Sequence, residues 1–270
     1  MWFKLLRHDL RNGLLRWRYL LAILIFAMPC FSCWIRILPH LSSGTWADWM
    51  LFCFKGIFPV SGQLESFEFP ILWFVTVAGC LFIELDYPLN DLTDVGQQII
   101  IRCVSRKSWF FSKCVWNLLS SGLYVLMGSL TVLAAVLIAG GSAVLTATPD
   151  FVTSVVELYL EITPPIWETI MSAVVLPYLT IAAYGMLQMV LCLVIKPIYS
   201  FLVCICLLTC SLFINSPFAL GNGAMALRGP LVMGGHSPAV TAAVCLTVIV
   251  LSMIVGAVRF QRMDLLNYEG

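Results

Sequence analysis

Residues 86–113 read DYPLNDLTDVGQQIIIRCVSRKSWFFSK. The stretch is polar, carries the bases Arg102, Arg106, Lys107 and Lys113, and separates two long apolar runs, Phe69–Leu85 and the uncharged run from Cys114 to Pro149. A charged segment between such runs reads as a loop joining two membrane-crossing helices, because lipid accepts apolar helices and rejects unpaired charge. The rest of the chain agrees. Of its 270 residues 61% are hydrophobic and 11% charged, with a mean hydropathy of +0.97, whereas soluble domains carry about 25% charged residues. The apolar runs are continuous rather than alternating, which favours helices over a barrel.

Working outward, the pattern predicts an all-α polytopic membrane protein of one domain, residues 1–270, with six transmembrane helices at about 19–38, 69–85, 114–140, 169–195, 197–213 and 239–258. Residues 1–18 form an amphipathic opening in which Trp2, Phe3, Leu5, Leu6 and Leu10 alternate with Lys4, Arg7 and Arg11. A basic helix of that kind lies at headgroup level. Residues 39–68 mix Trp46, Trp49, Phe52, Phe54 and Phe58 with Asp48, Lys55 and Glu65, which suits an interfacial loop or a short surface helix. Gly140-Gly141 is the natural end of the third span. Thr148-Pro149-Asp150 reads as a helix start, Thr as the cap and Pro at the first position, with the helix running to about Leu160. Pro177 predicts a kink. Residues 214–238 are rich in Gly and Pro yet apolar, and such a segment enters a membrane only where protein buries it.

Charge sets the orientation. Lys4, Arg7, Arg11, Arg16, Arg18, Arg102, Arg106, Lys107, Lys113, Lys196, Arg259 and Arg262 fall on the side of the termini; of the fifteen Lys and Arg, Arg36, Lys55 and Arg228 remain for the other. The positive-inside rule therefore places both termini in the cytoplasm and makes 86–113 a cytoplasmic loop. The first apolar run has no small-residue cleavage site and is expected to stay as an anchor.

The chemistry of the chain is sparse. A net charge of +1, with bases clustered beside apolar runs, excludes a nucleic-acid binder. Most of the 11 cysteines lie within apolar runs, and Cys30-x-x-Cys33 lacks the second pair or nearby His of a zinc site. No G-x-x-x-x-G-K-[ST] and no H-E-x-x-H occurs, and His8, His40 and His236 are far apart. No catalytic, cofactor or metal set is expected. Glu84 stands at the cytoplasmic end of the second span and Arg36 at the outer end of the first. Either both snorkel to an interface, or Glu84 pairs with a base near the third span and transmits loop movement. Polar residues at membrane depth (Thr131, Thr180, Gln188, Thr209, Ser211) are too scattered to line a channel. Ser252-x-x-x-Gly256 and Ala135-x-x-x-Ala139 have the spacing of close helix contacts and weakly favour a dimer. The acids Asp150, Glu157, Glu161 and Glu168 form either a solvated outer face or an attractor for cationic peptides.

The run Gly96-Gln97-Gln98-Ile99-Ile100-Ile101-Arg102, then Ser105-Arg106-Lys107-Ser108-Trp109, then Ser112-Lys113 entering a long span, resembles the type-2 family of ATP-binding-cassette (ABC) transporter permeases. The layout of an amphipathic N-terminal helix, six spans and cytoplasmic ends resembles that family as well. The resemblance implies a non-catalytic subunit of the plasma membrane of a bacterium. It pairs with a second permease subunit, same or different, in contact with membrane lipid. A separate nucleotide-binding ATPase subunit carries ATP and Mg²⁺. It further implies that Gln97, Gln98, Ile100, Arg102, Ser105, Arg106 and Trp109 form the interface with the ATPase, with Glu84 and Lys113 as coupling candidates. The expected role is export of a hydrophobic or amphipathic substrate, such as an antimicrobial peptide, a drug or a lipid. The alternative is a channel or scaffold subunit with no ATPase.

Overall fold

The computed structural model describes Asp9, Gly13 and residues 17–37, 43–59, 67–85 and 106–262. No strand occurs among the described residues; one isolated backbone bridge joins Thr45 to Ser142. Helix α1 is Leu20–Ile37, entered through a 3₁₀ turn at Trp17–Tyr19. It is followed by α2 (Trp46–Cys53), α3 (Ile71–Glu84), α4 (Arg106–Ile138), α5 (Ile166–Leu191), α6 (Pro197–Phe213) and α7 (Pro238–Arg262).

Four stretches are long and apolar enough to cross a membrane: Trp17–Ile37, Lys107–Ile138, Ile166–Leu191 and Pro238–Arg262. They coincide with four of the six expected spans. The other two expected spans are the shorter apolar helices α3, with 14 residues, and α6, with 17. At about 1.5 Å per residue, α3 extends roughly 21 Å, against about 30 Å of hydrocarbon.

Helix α5 is the centre. It packs against α3, α4, α6 and α7, and 61% of its most apolar window is buried, against 28–33% in the other three long helices. The outer helices turn apolar side chains outward, among them Leu24, Phe31 and Ile35 on α1 and Val250, Leu251 and Ile254 on α7. Such faces are compatible with a multi-pass membrane protein, whose solvent is as apolar as its core.

Three segments differ from the sequence-based expectations. First, α4 begins at Arg106, so Lys107–Lys113 belong to the helix and not to the loop. The stretch contains no Gly or Pro to stop a helix, and Trp109, Phe110 and Cys114 bury one face of it. Second, α2 is no surface helix: every residue from Trp46 to Cys53 is buried. Thr45 and Asp48 form a reciprocal capping box at its start. The same Asp48 carboxylate accepts the Thr148 backbone N–H at 2.8 Å and the Thr148 hydroxyl, stapling α2 to the far side of α4. Burial raises the Asp48 carboxyl above its usual range while these bonds hold it down.

Third, the helix starting after Thr148 is short. Pro149–Phe151 leads into a π-turn at Val152–Val156, and Glu157 ends it in the left-handed region at φ 65°. Thr148 makes no side-chain cap there because its hydroxyl is given to Asp48. A second π-turn, Met171–Val175, stands just before Pro177, where a proline nitrogen leaves the i−4 ladder incomplete. Helix α4 ends as expected, Gly140 following it at φ 78°.

The Gly-rich segment after α6 is enclosed by protein. Gly221–Gly229 are all buried, and Trp73 Nε1 donates to Ala224 O at 2.8 Å. The small-residue pairs serve packing within the chain. Gly256 faces Phe110 and Val190 with no room for a Cβ, Ser252 is buried, and Ala135 and Ala139 pack on the core. Those pairs therefore lend no support to a dimer.

Candidate functional site

Along α4 the residues Lys113, Asn117, Ser120, Ser121 and Tyr124 recur at helical spacing, so they share one face. All five are buried. Polar groups buried on a face so apolar elsewhere must find partners, and those partners come from Asp9, the turn at Trp17–Tyr19 and α3.

About two turns into α4, Asp9 is the partner. Lys113 Nζ lies 2.5 Å from Asp9 Oδ1, and the Ser112 hydroxyl donates to Asp9 Oδ2 at 2.5 Å. Both charged side chains are fully buried. Lys113 also stands 5.1 Å above the Trp109 ring, and Trp109 stacks on Phe260 of α7 at 4.8 Å. Asp9, the start of α4 and the end of α7 thus meet at one place.

Glu84 occupies the next level. Its Oε1 accepts from Ser120 at 2.5 Å and Ser121 at 3.1 Å, and its Oε2 from Asn117 Nδ2 at 3.1 Å. Tyr19 shares a 2.6 Å bond with the Ser120 hydroxyl. Gly185 of α5 makes room: a Cβ there would meet Glu84 Oε2 at 2.6 Å and Asn117 Nδ2 at 2.9 Å. Gln188, one turn on, donates to Leu81 O at 3.0 Å. Above this level Tyr124 donates to Thr76 O at 2.7 Å.

Glu84 therefore neither snorkels nor takes a base among the described residues. The expected ion pair is replaced by hydroxyl and amide donors, because Lys113 lies a full turn away and is held by Asp9. Of the expected ATPase-interface residues, Gln97, Gln98, Ile100, Arg102 and Ser105 lie outside the described residues. Arg106 opens α4, and Trp109 is buried at 2% exposure in the stack with Phe260. A Trp turned inward gives the interior contact of that stack rather than an exposed docking face.

A family model described as "Protein of unknown function (DUF2705)" matches residues 50–266. The chain belongs to that family. No curated protein and no solved structure matches it. The matched region runs from α2 to the end of α7 and so contains Glu84 and the whole seam on α4, while Asp9 and Tyr19 precede it.

A second buried charge lies outside the seam. Arg228 is 2% exposed and donates to the carbonyls of Ser211 (2.8 Å), Leu212 (2.6 Å), Ile57 (3.0 Å) and Ile214 (3.2 Å), and to Asn222 Oδ1 at 2.7 Å. A guanidinium at the last carbonyls of α6 satisfies groups that a helix end leaves open and meets the negative end of its dipole. No group of His, Cys, Asp and Glu suited to a metal occurs among the described residues.

Sequence reasoning passed over Asn117, Ser120, Ser121, Tyr124 and Gly185, and counted Arg228 only as a base of the outer side. The signal for the first four was present as N-x-x-S-S-x-x-Y in the longest apolar run, at offsets of three, four and seven.

Proposed function

We propose that this chain is the membrane permease subunit of an ATP-driven transporter, with six spans, cytoplasmic termini and no ATPase of its own. It exports a hydrophobic or amphipathic substrate across a bacterial plasma membrane. The observation that carries the reading is the seam on α4. Its lower end, Ser112-Lys113, lies within two turns of the start of α4, where the chain enters the helix from the basic segment before Arg106, and grips Asp9. Its upper end, Asn117–Ser121, grips Glu84 at the end of α3 and abuts Gly185 of α5. A push on the loop would reach α3, α4, α5 and α7 through buried, short contacts, and a subunit driven from its cytoplasmic face needs that mechanical continuity. In this reading α3 and α6 complete the six spans, their shortness offset by packing against the long helices.

The seam also weighs against the channel alternative. The space beside Glu84, Asn117, Gly185 and Gln188 amounts to about 10 Å³, room for about one water, so the polar face is spent on packing and offers no conduit. The acidic outer segment gives little support to electrostatic capture of cationic peptides, since Glu157 is already bonded to Arg36 and Lys55.

The test is a pull-down of the full chain from mildly solubilised native membranes, with ATPase activity assayed with and without Arg102→Glu/Arg106→Glu. Recovery of a nucleotide-binding subunit that the double change releases is the expected result. If none is recovered under mild conditions, the transporter reading fails.

A further inference from the structure

The cavity on the face opposite the seam has no part in that reading. It holds about 500 Å³, within the range of small-molecule sites. Its floor brings together the end of α1, the chain after α2, the start of α3 and the turn at Glu157. One wall is charged: Arg36 NH1 and Lys55 Nζ both contact Glu157 Oε1, at 2.8 and 2.9 Å. Glu68, an exposed residue, also lines the cavity. The lining is completed by apolar and aromatic side chains, among them Phe58, Phe69, Ile71 and Trp73.

We infer that this cavity binds a zwitterionic phospholipid-type amphiphile. Its phosphate sits against Arg36 and Lys55, its amine against Glu68, and its apolar tail along the aromatic wall. Among the described lining residues two bases accompany two acids, so neither a simple anion nor a cationic peptide is favoured, whereas a group carrying both signs is. Both cations converge on one carboxylate oxygen. That leaves Arg36 with its planar fork, which suits a second oxyanion. Glu157 is the single non-glycine residue at positive φ among the described residues.

The test uses the full chain purified in a non-ionic detergent. Native mass spectrometry and the fluorescence of Trp73 and its neighbours are read against four probes: dihexanoyl phosphatidylethanolamine, glycerophosphoethanolamine, dihexanoyl phosphatidylglycerol and inorganic phosphate. The expected result is selective binding of the first. Lys55→Gln or Arg36→Gln weakens it about tenfold or more, the worth of one charge-assisted bond. Glu68→Gln weakens the ethanolamine lipid but not the glycerol lipid, and Glu157→Gln raises affinity for the glycerol lipid. Unchanged binding in both base variants overturns the proposal. So does equal binding of inorganic phosphate or the tail-less headgroup, or preferential binding of a cationic amphipathic peptide. Should the Arg36 variant fail to fold, Phe58→Ala, an exposed wall position, still has to weaken the lipid and spare the headgroup. No ATPase enters the measurement, so its failure leaves the transporter reading standing.

Discussion

The hydroxyl of Ser120 lies 2.5 Å from the carboxylate of Glu84, across 36 residues of sequence. A carboxylate buried among helices is stable only while donors surround it. Replacing Glu84 by Leu leaves Asn117 Nδ2 without its acceptor, while Ser120 and Ser121 can turn back to carbonyls of their own helix. The expected loss is about 1–3 kcal/mol, read as a lowered thermal midpoint in detergent. Glu84→Gln, which keeps one acceptor, is expected to lose less. Equal stability of Glu84→Leu and the parent would remove the cluster from any structural role.

The Asp9–Lys113 pair calls for a double-mutant cycle. Removing one partner takes a charge-assisted contact from a fully buried group, and Asp9→Leu or Lys113→Met alone should cost about 3–5 kcal/mol. The double variant should recover most of that, since an apolar pair of similar volume replaces the ion pair. Additive single effects would show that the two residues act apart.

Two glycines provide an internal control. At Gly185 a methyl group meets Glu84 and Asn117 at 2.6–3.1 Å, so Gly185→Ala should destabilise by about 1–3 kcal/mol. At Gly122 of α4 the nearest atom is 3.6 Å away, and Gly122→Ala should be neutral or gain up to about 1 kcal/mol from helix propensity. Unfolding midpoints of the two variants, measured side by side, decide it.

The outer ion cluster should respond to acid. Burial works to raise the Glu157 carboxyl, but hydrogen bonds from Lys55 and Arg36 outweigh it and hold the group below its ordinary value. The unfolded chain then binds the proton more tightly than the folded one. Glu157 contributes stability above the ordinary carboxylate range, and that contribution is lost as pH falls through the lowered folded value. Glu157→Gln should flatten this part of an unfolding-midpoint profile taken from neutral pH into acid. An unchanged acid limb would contradict the pairing.

Arg228 cannot be exchanged for Lys. Three ammonium donors cannot reach the acceptors that the guanidinium spans from Ile57 to Asn222. Arg228→Lys and Arg228→Met are both expected to fall by about 3–5 kcal/mol, visible as loss of monodisperse protein on size exclusion.

The positions of the four long apolar helices were legible because such segments announce themselves by length and apolarity. The bounds of α6 are those expected, Pro197–Phe213, since a proline at one end and a Gly-Pro-rich segment at the other punctuate it. The start of α4 was not legible, because the bases of Arg106-Lys107 read as loop charge although nothing in the stretch breaks a helix. Burial of α2 was hidden for a related reason. Trp46, Trp49 and Phe52 have the composition of an interface, and contacts about 80–100 residues apart, the Asp48–Thr148 staple and the Trp46 bonds to Ser129 and Ser142 among them, hold them inside. In the site, Glu84 and Lys113 were found by their charge. Their partners are small hydroxyls, an amide and a glycine, which carry meaning only once the helices are side by side.

The 36-residue separation of Glu84 from Ser120 also bears on how the chain is made. On the membrane reading, α3 leaves the ribosome as a short helix of 14 residues ending in a carboxylate, too brief and too charged to settle in a bilayer alone. Its hydroxyl donors, Ser120 and Ser121, emerge only with the fifth turn of α4. The translocation machinery must therefore hold α3 until α4 arrives and release the two as one hairpin, the acid already covered.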